Sequence, residues 1–210
     1  MVSAEQIVEL QDAETRALHQ AMSGARADAG QEARSAWLES VSRQHRANFE
    51  LWHIEDEARA PGASEADLAG VKRRIDLTNQ LRNDLAEQLD LSLLGWLVAK
   101  GLPNPEAELN SESPGLMIDR LSILALKIHH TREEAERSDA PEGHAERNLE
   151  RLAILDEQRR DLAACLDALW RETLLGRRRF KLYRQLKMYN DPALNPAIYK
   201  ASDRTKMPGR

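Results

Sequence analysis

With 210 residues, the chain is long enough for one domain whose core needs no disulfide or metal to hold it together. Charged residues make up 31% and aromatic residues 4% of the sequence, and glycine (10) and proline (8) are scarce, which excludes collagen-like and loop-dominated proteins and favours solvated helices. The net charge of −5 combines +8 on residues 174–210 with −13 on residues 1–173, so a basic tail follows an acidic body.

The sequence predicts five helices separated by short breaks. Pro61-Gly62 and Pro141-Glu142-Gly143 interrupt the helical pattern, and Ser64 with Asp67 three residues later resembles a capping box. The predicted helices are about Ala4–Met22, Gln31–Ala60, Ser64–Lys100, Pro114–Ser138 and His144–Leu175. No segment combines sustained alternation with β-branched residues, so we expect no sheet. The pattern predicts an all-α, antiparallel bundle of about five long helices.

The second predicted helix carries polar residues where its core-facing stripe should be apolar. When successive residues are placed about 100° apart, Trp37, Leu38 and Val41 define an apolar arc. Continued toward the C-terminus, the same arc holds His45, Asn48, Trp52, Glu55, Asp56 and Arg59. Burying such groups without partners costs roughly several kcal/mol each, so they must meet partners, water, metal or ligand.

The next two predicted helices repeat this anomaly. The third helix has Asn79 and Arg82 on its buried face, flanked by Lys72, Asp76 and Asn83. The fourth is apolar nearly all round, which indicates a central helix, but it carries Asp119, Arg120 and Lys127 on one side. Because each such group is costly to bury, the combination favours a ligand site between three helices over a structural network of ion pairs.

These residue types are suited to chemistry on a phosphorylated or sugar-containing small molecule. His45 is the candidate general acid or base, with Glu55 and Asp56 as further reactive groups. Carboxylates are the usual ligands of Mg²⁺ and Mn²⁺, and the candidates are Glu55, Asp56, Asp76 and Asp119. The candidate substrate-binding residues are Asn48, Trp52, Arg59, Lys72, Asn79, Arg82, Asn83, Arg120 and Lys127. We therefore expect a hydrolase or transferase that binds a small anionic ligand with the help of a divalent metal.

The remaining histidines have simpler interpretations. His53 projects off the polar stripe, which indicates a structural or peripheral position. His129 and His130 lie near the end of a helix, where histidine compensates the helix dipole more often than it binds metal. The alternative to an enzyme is a non-catalytic adaptor whose polar seam is structural and whose basic tail binds an acidic partner.

The basic tail permits two interpretations. Gly176–Tyr189, GRRRFKLYRQLKMY, holds six cations and no acid, with Phe180, Tyr183 and Tyr189 interleaved. Such a segment suits nucleic acid or anionic lipid, but it equally suits the acidic body of the same chain. Because docking on the body needs no partner, we favour it and do not expect nucleic acid as a partner. The predicted organisation is a helical bundle domain over residues 1–175 with the basic tail, residues 176–210, packed on it.

Several functional classes are excluded by what the sequence lacks. Cys165 is the single cysteine, which rules out an internal disulfide and a CxxC zinc site. The motifs GxGxxG, GxxxxGK[ST], HExxH and GxSxG are absent. The segment MVSAEQIVEL has no features of a secretion signal, and the apolar stretch Leu91–Ala99 is too short to span a bilayer. We expect a soluble, cytoplasmic protein, and a homo-oligomer remains open.

Four segments resemble an uncharacterised bacterial family known only as a domain of unknown function. They are NFELWHIEDEAR (Asn48–Arg59), KRRIDLTNQLRNDLAEQLD (Lys72–Asp90), SESPGLMIDRLSILALKI (Ser111–Ile128) and MYNDPALNP (Met188–Pro196). The segments occur in order across most of the chain. The resemblance implies a helical bundle and, from the family's context, an association with cell-envelope glycan genes; it assigns no activity and no catalytic residue.

Overall fold

The computed structural model describes residues 2–24, 35–184, 186 and 193–196. Its helices are α1 (Ala4–Met22), α2 (Ala36–Glu57), α3 (Glu65–Val98), α4 (Pro114–Glu136) and α5 (His144–Leu174). Two short strands, β1 (Glu108–Leu109) and β2 (Arg178–Arg179), are also present. The predicted all-α helical bundle is confirmed. The predicted helix start at Gln31 and most of the segment Met188–Pro196 lie outside the described residues.

Serine side chains determine where four of these helices begin. The hydroxyl groups that accept a backbone N–H of the first turn belong to Ser3, Ser35, Ser64 and Ser113. The capping box predicted at Ser64 and Asp67 is confirmed, with the Asp67 carboxylate accepting in return from the Ser64 N–H. These caps satisfy N–H groups that have no partner within the helix, so the local sequence fixes each start.

Helix α4 is the centre of the bundle, as its all-round apolar pattern predicts. It packs against α1, α2, α3 and α5. The core-facing apolar side chains that it contributes to the main cluster are Met117, Ile118, Leu121 and Leu124. Arg120 and Lys127 lie on the exposed side of α4. Because the rest of its surface meets other helices, a polar group on α4 that faces the interior must find its partner there.

The start of α4 lies unusually close to α3. A Cβ atom added at Gly115 would lie 2.3 Å from the Ala86 carbonyl oxygen, a distance that no side chain tolerates. The Gly115 N–H donates to Asp90 Oδ1 at 2.6 Å, and the Ser113 hydroxyl donates to the other Asp90 oxygen. Burial raises the pKa of Asp90 to about 6, against the opposing effect of these two hydrogen bonds. A buried carboxylate of α3 therefore joins the first turn of α4 to its neighbour.

The first part of the tail lies against the bundle. Strand β2 pairs in parallel with β1, so that Arg178 is opposite Glu108 and Arg179 is opposite Leu109. The expectation of no sheet is wrong here, because a two-residue pairing between distant segments leaves no alternating pattern in the sequence. Phe180 follows with 1% of its surface exposed and lies 6.4 Å from the Trp170 ring. None of the described helices has the length and apolarity needed to cross a membrane.

Candidate functional site

His45 lies at the centre of a closed hydrogen-bond network. Its ring is completely buried, with Nε2 2.9 Å from Thr15 Oγ1 and Nδ1 2.8 Å from Ser122 Oγ. The Thr15 hydroxyl donates to the Gln11 carbonyl, so it accepts from His45 Nε2–H. Ser122 accepts from Asn48 Nδ2 at 2.9 Å and therefore donates to His45 Nδ1. Each atom in this hydrogen-bond network is consistently a donor or an acceptor when the His45 imidazole is neutral.

The electrostatics of the site agree with this assignment. Burial lowers the pKa of His45 to about 4, and the Glu14 carboxylate opposes that shift only in part. A neutral, fully bonded imidazole that has no exposed surface reaches no substrate. The structure therefore places the predicted general acid or base, His45, inside the packing of the bundle.

Asp119 joins the network on its other side. Its Oδ1 accepts from Gln44 at 2.6 Å, from Asn48 at 3.0 Å and from Arg82 Nε at 2.8 Å. Its Oδ2 accepts from Arg82 Nη2 at 2.5 Å. Both oxygens are thus occupied by protein donors, and a cation at Asp119 would have to displace them. The predicted site residues Asn48, Arg82 and Asp119 therefore do come together, but their polar groups bond to one another.

A second group of predicted residues lies at the turn between α2 and α3. Arg59 is bonded to Glu55, at 3.2 Å between Nη2 and Oε2, and its side chain is 67% exposed. Asp56 is exposed beside it, and Lys72 pairs with Asp76 within α3. Such i,i+4 pairs contribute only a few tenths of a kcal/mol each. Among the described residues, the metal candidates Glu55, Asp56, Asp76 and Asp119 form no common cluster of ligand atoms.

The predicted anion-binding residues are also separated. Asn79 and Asn83 are half-buried on α3, and neither side chain forms a hydrogen bond with another described residue. Arg120 pairs with Glu112 at 2.8 Å beside β1, in a cleft of about 940 Å³ between the strands, α4 and α5. The other arginines of that cleft, Arg177 and Arg178, also pair with carboxylates. Those cations are already neutralised by the protein.

Trp52 and Lys127 border a different pocket, of about 400 Å³, at the surface of α2, α4 and α5. The Trp52 indole is stacked on the His130 ring, with centroids 4.7 Å apart and planes inclined by 10°. Arg151 contributes a second cation, which donates a hydrogen bond to Asn148 rather than to a carboxylate. Lys127 forms no ion pair with any residue that the structure describes. This pocket, which we call the Trp52 pocket, is where unneutralised cations meet an aromatic face.

Four histidines from three helices meet beside the Trp52 pocket. They are His19 of α1, His53 of α2, and His129 and His130 of α4, which we call the histidine cluster. The His19 ring lies 4.3 Å from His129, 4.9 Å from His130 and 5.2 Å from His53. One ring nitrogen from each of His19, His53 and His130 lies within 4.8 Å of the other two.

The hydrogen bonds of the histidine cluster involve one side of the rings. His19 Nδ1 donates to the Thr15 carbonyl at 2.8 Å, and His130 Nδ1 lies 2.9 Å from Glu133 Oε2. The Nε2 atoms of all four rings are buried and have no hydrogen-bond partner among the described residues, although His129 Nε2 lies 3.4 Å from Glu133 Oε1. Burial lowers the pKa of His53, and His19 and His130 lower it further; burial also lowers the pKa of His129 against the effect of Glu133. The neutral forms of His53 and His129 are therefore favoured.

The sequence did not predict the histidine cluster. His53, expected to be structural or peripheral, is half-buried and lies 4.4 Å from the Phe49 ring centroid and 5.2 Å from the His19 ring. His129 and His130 precede the last turn of α4, which contains no basic residue, so they do not compensate the dipole at its end. The available signal was three histidine positions on different helices near one end of the bundle. Their convergence depends on how α1, α2 and α4 are rotated about their axes, which periodicity within one helix does not give.

One of three comparisons with known proteins agrees with the resemblance noted in the sequence. The search of curated proteins and the search of solved structures each returned no match. A family model described as "Protein of unknown function (DUF4254)" matches residues 38–182, which include α3, α4, α5, both strands and nearly all of α2. The chain therefore belongs to the DUF4254 family.

Proposed function

We propose that the protein is a helical-bundle enzyme, a hydrolase or transferase, that acts on a phosphorylated or sugar-containing small molecule bound in the Trp52 pocket. The observation that carries the proposal is the presence in one pocket of two cations, Lys127 and Arg151, that pair with no carboxylate of the described residues, beside the Trp52 ring. Phosphate and carboxylate groups are the ligands such cations attract. The indole face offers a surface on which a sugar or base stacks.

Charge balance favours the Trp52 pocket over the larger cleft. The cleft has three arginines, but each is paired with a carboxylate: Arg120 with Glu112, Arg177 with Glu172, and Arg178 with Glu108. Among the described residues that line the Trp52 pocket, the carboxylate is Glu134, which already accepts from His144 and pairs with Arg137. An anion entering the Trp52 pocket therefore meets free positive charge, whereas in the cleft it competes with the protein's own carboxylates.

The Trp52 pocket also has a titratable group at its edge. His130 lines it, and the Glu133 carboxylate orients the ring through Nδ1. A carboxylate on one ring nitrogen fixes the tautomer and leaves the lone pair on the other nitrogen. The proposed chemistry therefore lies at the His130 end of the pocket and not at His45.

Substitution of the two cations tests this proposal. In a thermal-shift and calorimetric screen of sugar phosphates, nucleotides and nucleotide-sugars, we expect the wild-type protein to bind at least one class of ligand. Lys127→Ala and Arg151→Ala should each weaken that binding by about tenfold or more, since each removes a charge-assisted hydrogen bond of about 1.5–3 kcal/mol. Trp52→Ala should weaken it through the lost stacking.

The matched control is Arg120→Ala, which removes an arginine that Glu112 already pairs. It should leave the ligand affinity unchanged. Binding that is lost in Arg120→Ala but kept in Lys127→Ala and Arg151→Ala would assign the ligand to the cleft instead. If no compound of the three classes binds the wild-type protein, the proposal is wrong.

One observation supports a second candidate, the non-catalytic adaptor. The network around His45 and Asp119 satisfies its own hydrogen bonds, as a structural seam would. In this case the protein would bind an acidic partner through its tail and would have no small-molecule ligand. A pull-down that is lost when Arg177, Arg178 and Arg179 are neutralised, together with a negative ligand screen, would favour the adaptor.

A further inference from the structure

We propose that His19, His53 and His130 bind a single late transition-metal ion of the zinc type. One nitrogen from each ring lies within 4.8 Å of the other two, and no other group of three potential ligands forms among the described residues. Two nitrogens that each lie about 2.1 Å from one tetrahedral ion are roughly 3.4 Å apart, so the rings must rotate to bring the three nitrogens together.

The outer contacts of two of these histidines orient them as metal ligands. His19 Nδ1 donates to the Thr15 carbonyl, and His130 Nδ1 donates to the Glu133 carboxylate. Each bond fixes the proton on Nδ1, so the lone pair lies on Nε2. Metal-bound histidines almost always carry a carbonyl or carboxylate partner on the second nitrogen, because it fixes the tautomer and the ring orientation.

His45 shows how this protein satisfies a histidine that has a purely structural role. Both of its nitrogens are hydrogen-bonded within the core. In the histidine cluster, the Nε2 atoms of His19, His53 and His130 are buried but have no hydrogen-bond partner among the described residues, and burying a polar atom without a partner is unfavourable. A shared ion would satisfy these three atoms at once. Packing alone gives no reason to collect several unsatisfied nitrogens in one place.

The donor set selects the class of metal. Three imidazoles suit Zn²⁺, Ni²⁺ or Cu²⁺, whereas Mg²⁺ and Mn²⁺ prefer oxygen ligands. Cys165 lies exposed on α5 and is not in the group. Three protein ligands leave one tetrahedral position open, which is the arrangement of catalytic rather than structural zinc sites. The metal proposed here thus replaces the Mg²⁺ or Mn²⁺ expected from the carboxylates.

The proposed ion would lie beside the Trp52 pocket, because Trp52 is stacked on His130. An open coordination position there would polarise a phosphoryl or carbonyl oxygen or activate a water molecule. This role at the pocket rests on the proposed function. Metal binding itself does not, so it is measured without any small molecule.

Calorimetric titration of the chelator-treated, full-length protein with Zn²⁺ tests the site. We expect one ion per chain. His19→Gln, His53→Gln and His130→Gln should each weaken the affinity by at least about 100-fold, which exceeds the usual effect of losing an outer-shell partner. His144→Gln is the matched control, since it removes a half-buried histidine that is bonded to Glu134 outside the cluster. It should bind Zn²⁺ like the wild type.

A second pair of variants tests the orientation of His130 without removing a ligand. Glu133→Gln should weaken Zn²⁺ binding by about 10–100-fold, because it weakens the acceptor of His130 Nδ1. Its neighbour Glu134, which contacts His144 and Arg137, provides the control, and Glu134→Gln should have no effect. Both side chains are about half exposed, so both variants should fold.

The proposal is overturned if the wild-type protein takes up no stoichiometric Zn²⁺, or if His144→Gln weakens binding as much as the three ligand variants. If a histidine variant fails to fold, the wild-type stoichiometry and the comparison of Glu133→Gln with Glu134→Gln still test the site. Stoichiometric Zn²⁺ binding with a negative ligand screen would support the metal site and reject the proposed function. Small-molecule binding by a protein that takes up no Zn²⁺ would support the proposed function and reject the metal site.

Discussion

At the scale of single residues, the two kinds of histidine in this protein differ in what surrounds their second nitrogen. His45 donates through Nε2 to Thr15 and accepts at Nδ1 from Ser122, so its neutral form has no unsatisfied group. A proton added at Nδ1 would break the bond from Ser122 and place a charge in the core. That is why burial lowers the pKa of His45 to about 4.

The pH dependence of stability should report this shift. A group whose pKa is lower in the folded state contributes full stability above its unfolded pKa of 6.5 and loses it as the pH falls toward 4. For His45 the loss is about 3 kcal/mol. We expect the unfolding free energy of the wild type to fall by about this amount, relative to His45→Gln, between pH 7 and pH 4 in urea titrations with chelator present.

Comparison with the variant is needed because other groups also titrate in this range. The pKa of Asp90 is raised to about 6, so its contribution is largest at low pH and is lost as the pH rises through 6, which is the opposite trend. Subtracting the pH profile of His45→Gln from that of the wild type removes the contribution of Asp90, because both proteins contain this residue. Parallel pH profiles for the two proteins would contradict the assignment of a buried neutral imidazole.

At the scale of the elements, the contact between α3 and α4 positions the polar network. Asp90 accepts from the Gly115 N–H, and Gly115 brings the α4 backbone against the Ala86 carbonyl. Farther along the same pair of helices, Arg82 of α3 reaches Asp119 of α4. The close approach at the start of α4 therefore sets the depth at which that ion pair forms.

Two glycine substitutions distinguish the effect of this close contact on stability from the effect of helix propensity. Gly115→Ala should lower the unfolding free energy by about 1–3 kcal/mol, because its Cβ would lie 2.3 Å from a backbone oxygen of α3. Gly95→Ala, in α3, should raise it by about 0.5–1 kcal/mol, since a Cβ at Gly95 would have no atom within 4 Å. Urea denaturation measures both, and a stabilised Gly115→Ala would show that the two helices separate easily.

At the scale of the whole molecule, the first residues of the tail belong to the folded core. Phe180 has 1% of its surface exposed and lies in the cluster that contains Trp170. The arginines before it contact the bundle: Arg177 pairs with Glu172, and Arg178 pairs with Glu108. Since such surface pairs contribute about 0–1 kcal/mol each, the apolar anchor stabilises the attachment more than the charges do.

Removal of the anchor should therefore destabilise the entire bundle. We expect Phe180→Ala to lower the unfolding free energy by about 3–5 kcal/mol, the usual effect of truncating a buried phenylalanine. Tyr183→Ala is the control three residues later, where the side chain is 39% exposed, and its effect should be below about 1 kcal/mol. Equal, small effects of both variants would mean that the bundle folds independently of this tail segment.

Part of the site could be predicted from the sequence, and there is a physical reason why the rest could not. The helical projection identified His45, Asn48, Arg82 and Asp119 as polar residues facing the interior, and they meet there. The same projection grouped Glu55 and Asp56 with them, although Glu55 is only half-buried and Asp56 is exposed near the loop to α3. Periodicity gives the direction of a side chain about its helix axis, but it does not say where along the helix its neighbours end.

The sequence by itself determined the helices, their serine caps and the central place of α4, because hydrogen bonds within a helix and hydrophobic periodicity are local properties. Only the tertiary structure decided which polar groups neutralise one another and which stay open. The His45 network closes on itself, whereas His19, His53 and His130, beside Trp52, have Nε2 atoms with no hydrogen-bond partner among the described residues. That outcome depends on the relative rotation and depth of helices far apart in the chain, and packing alone sets those quantities.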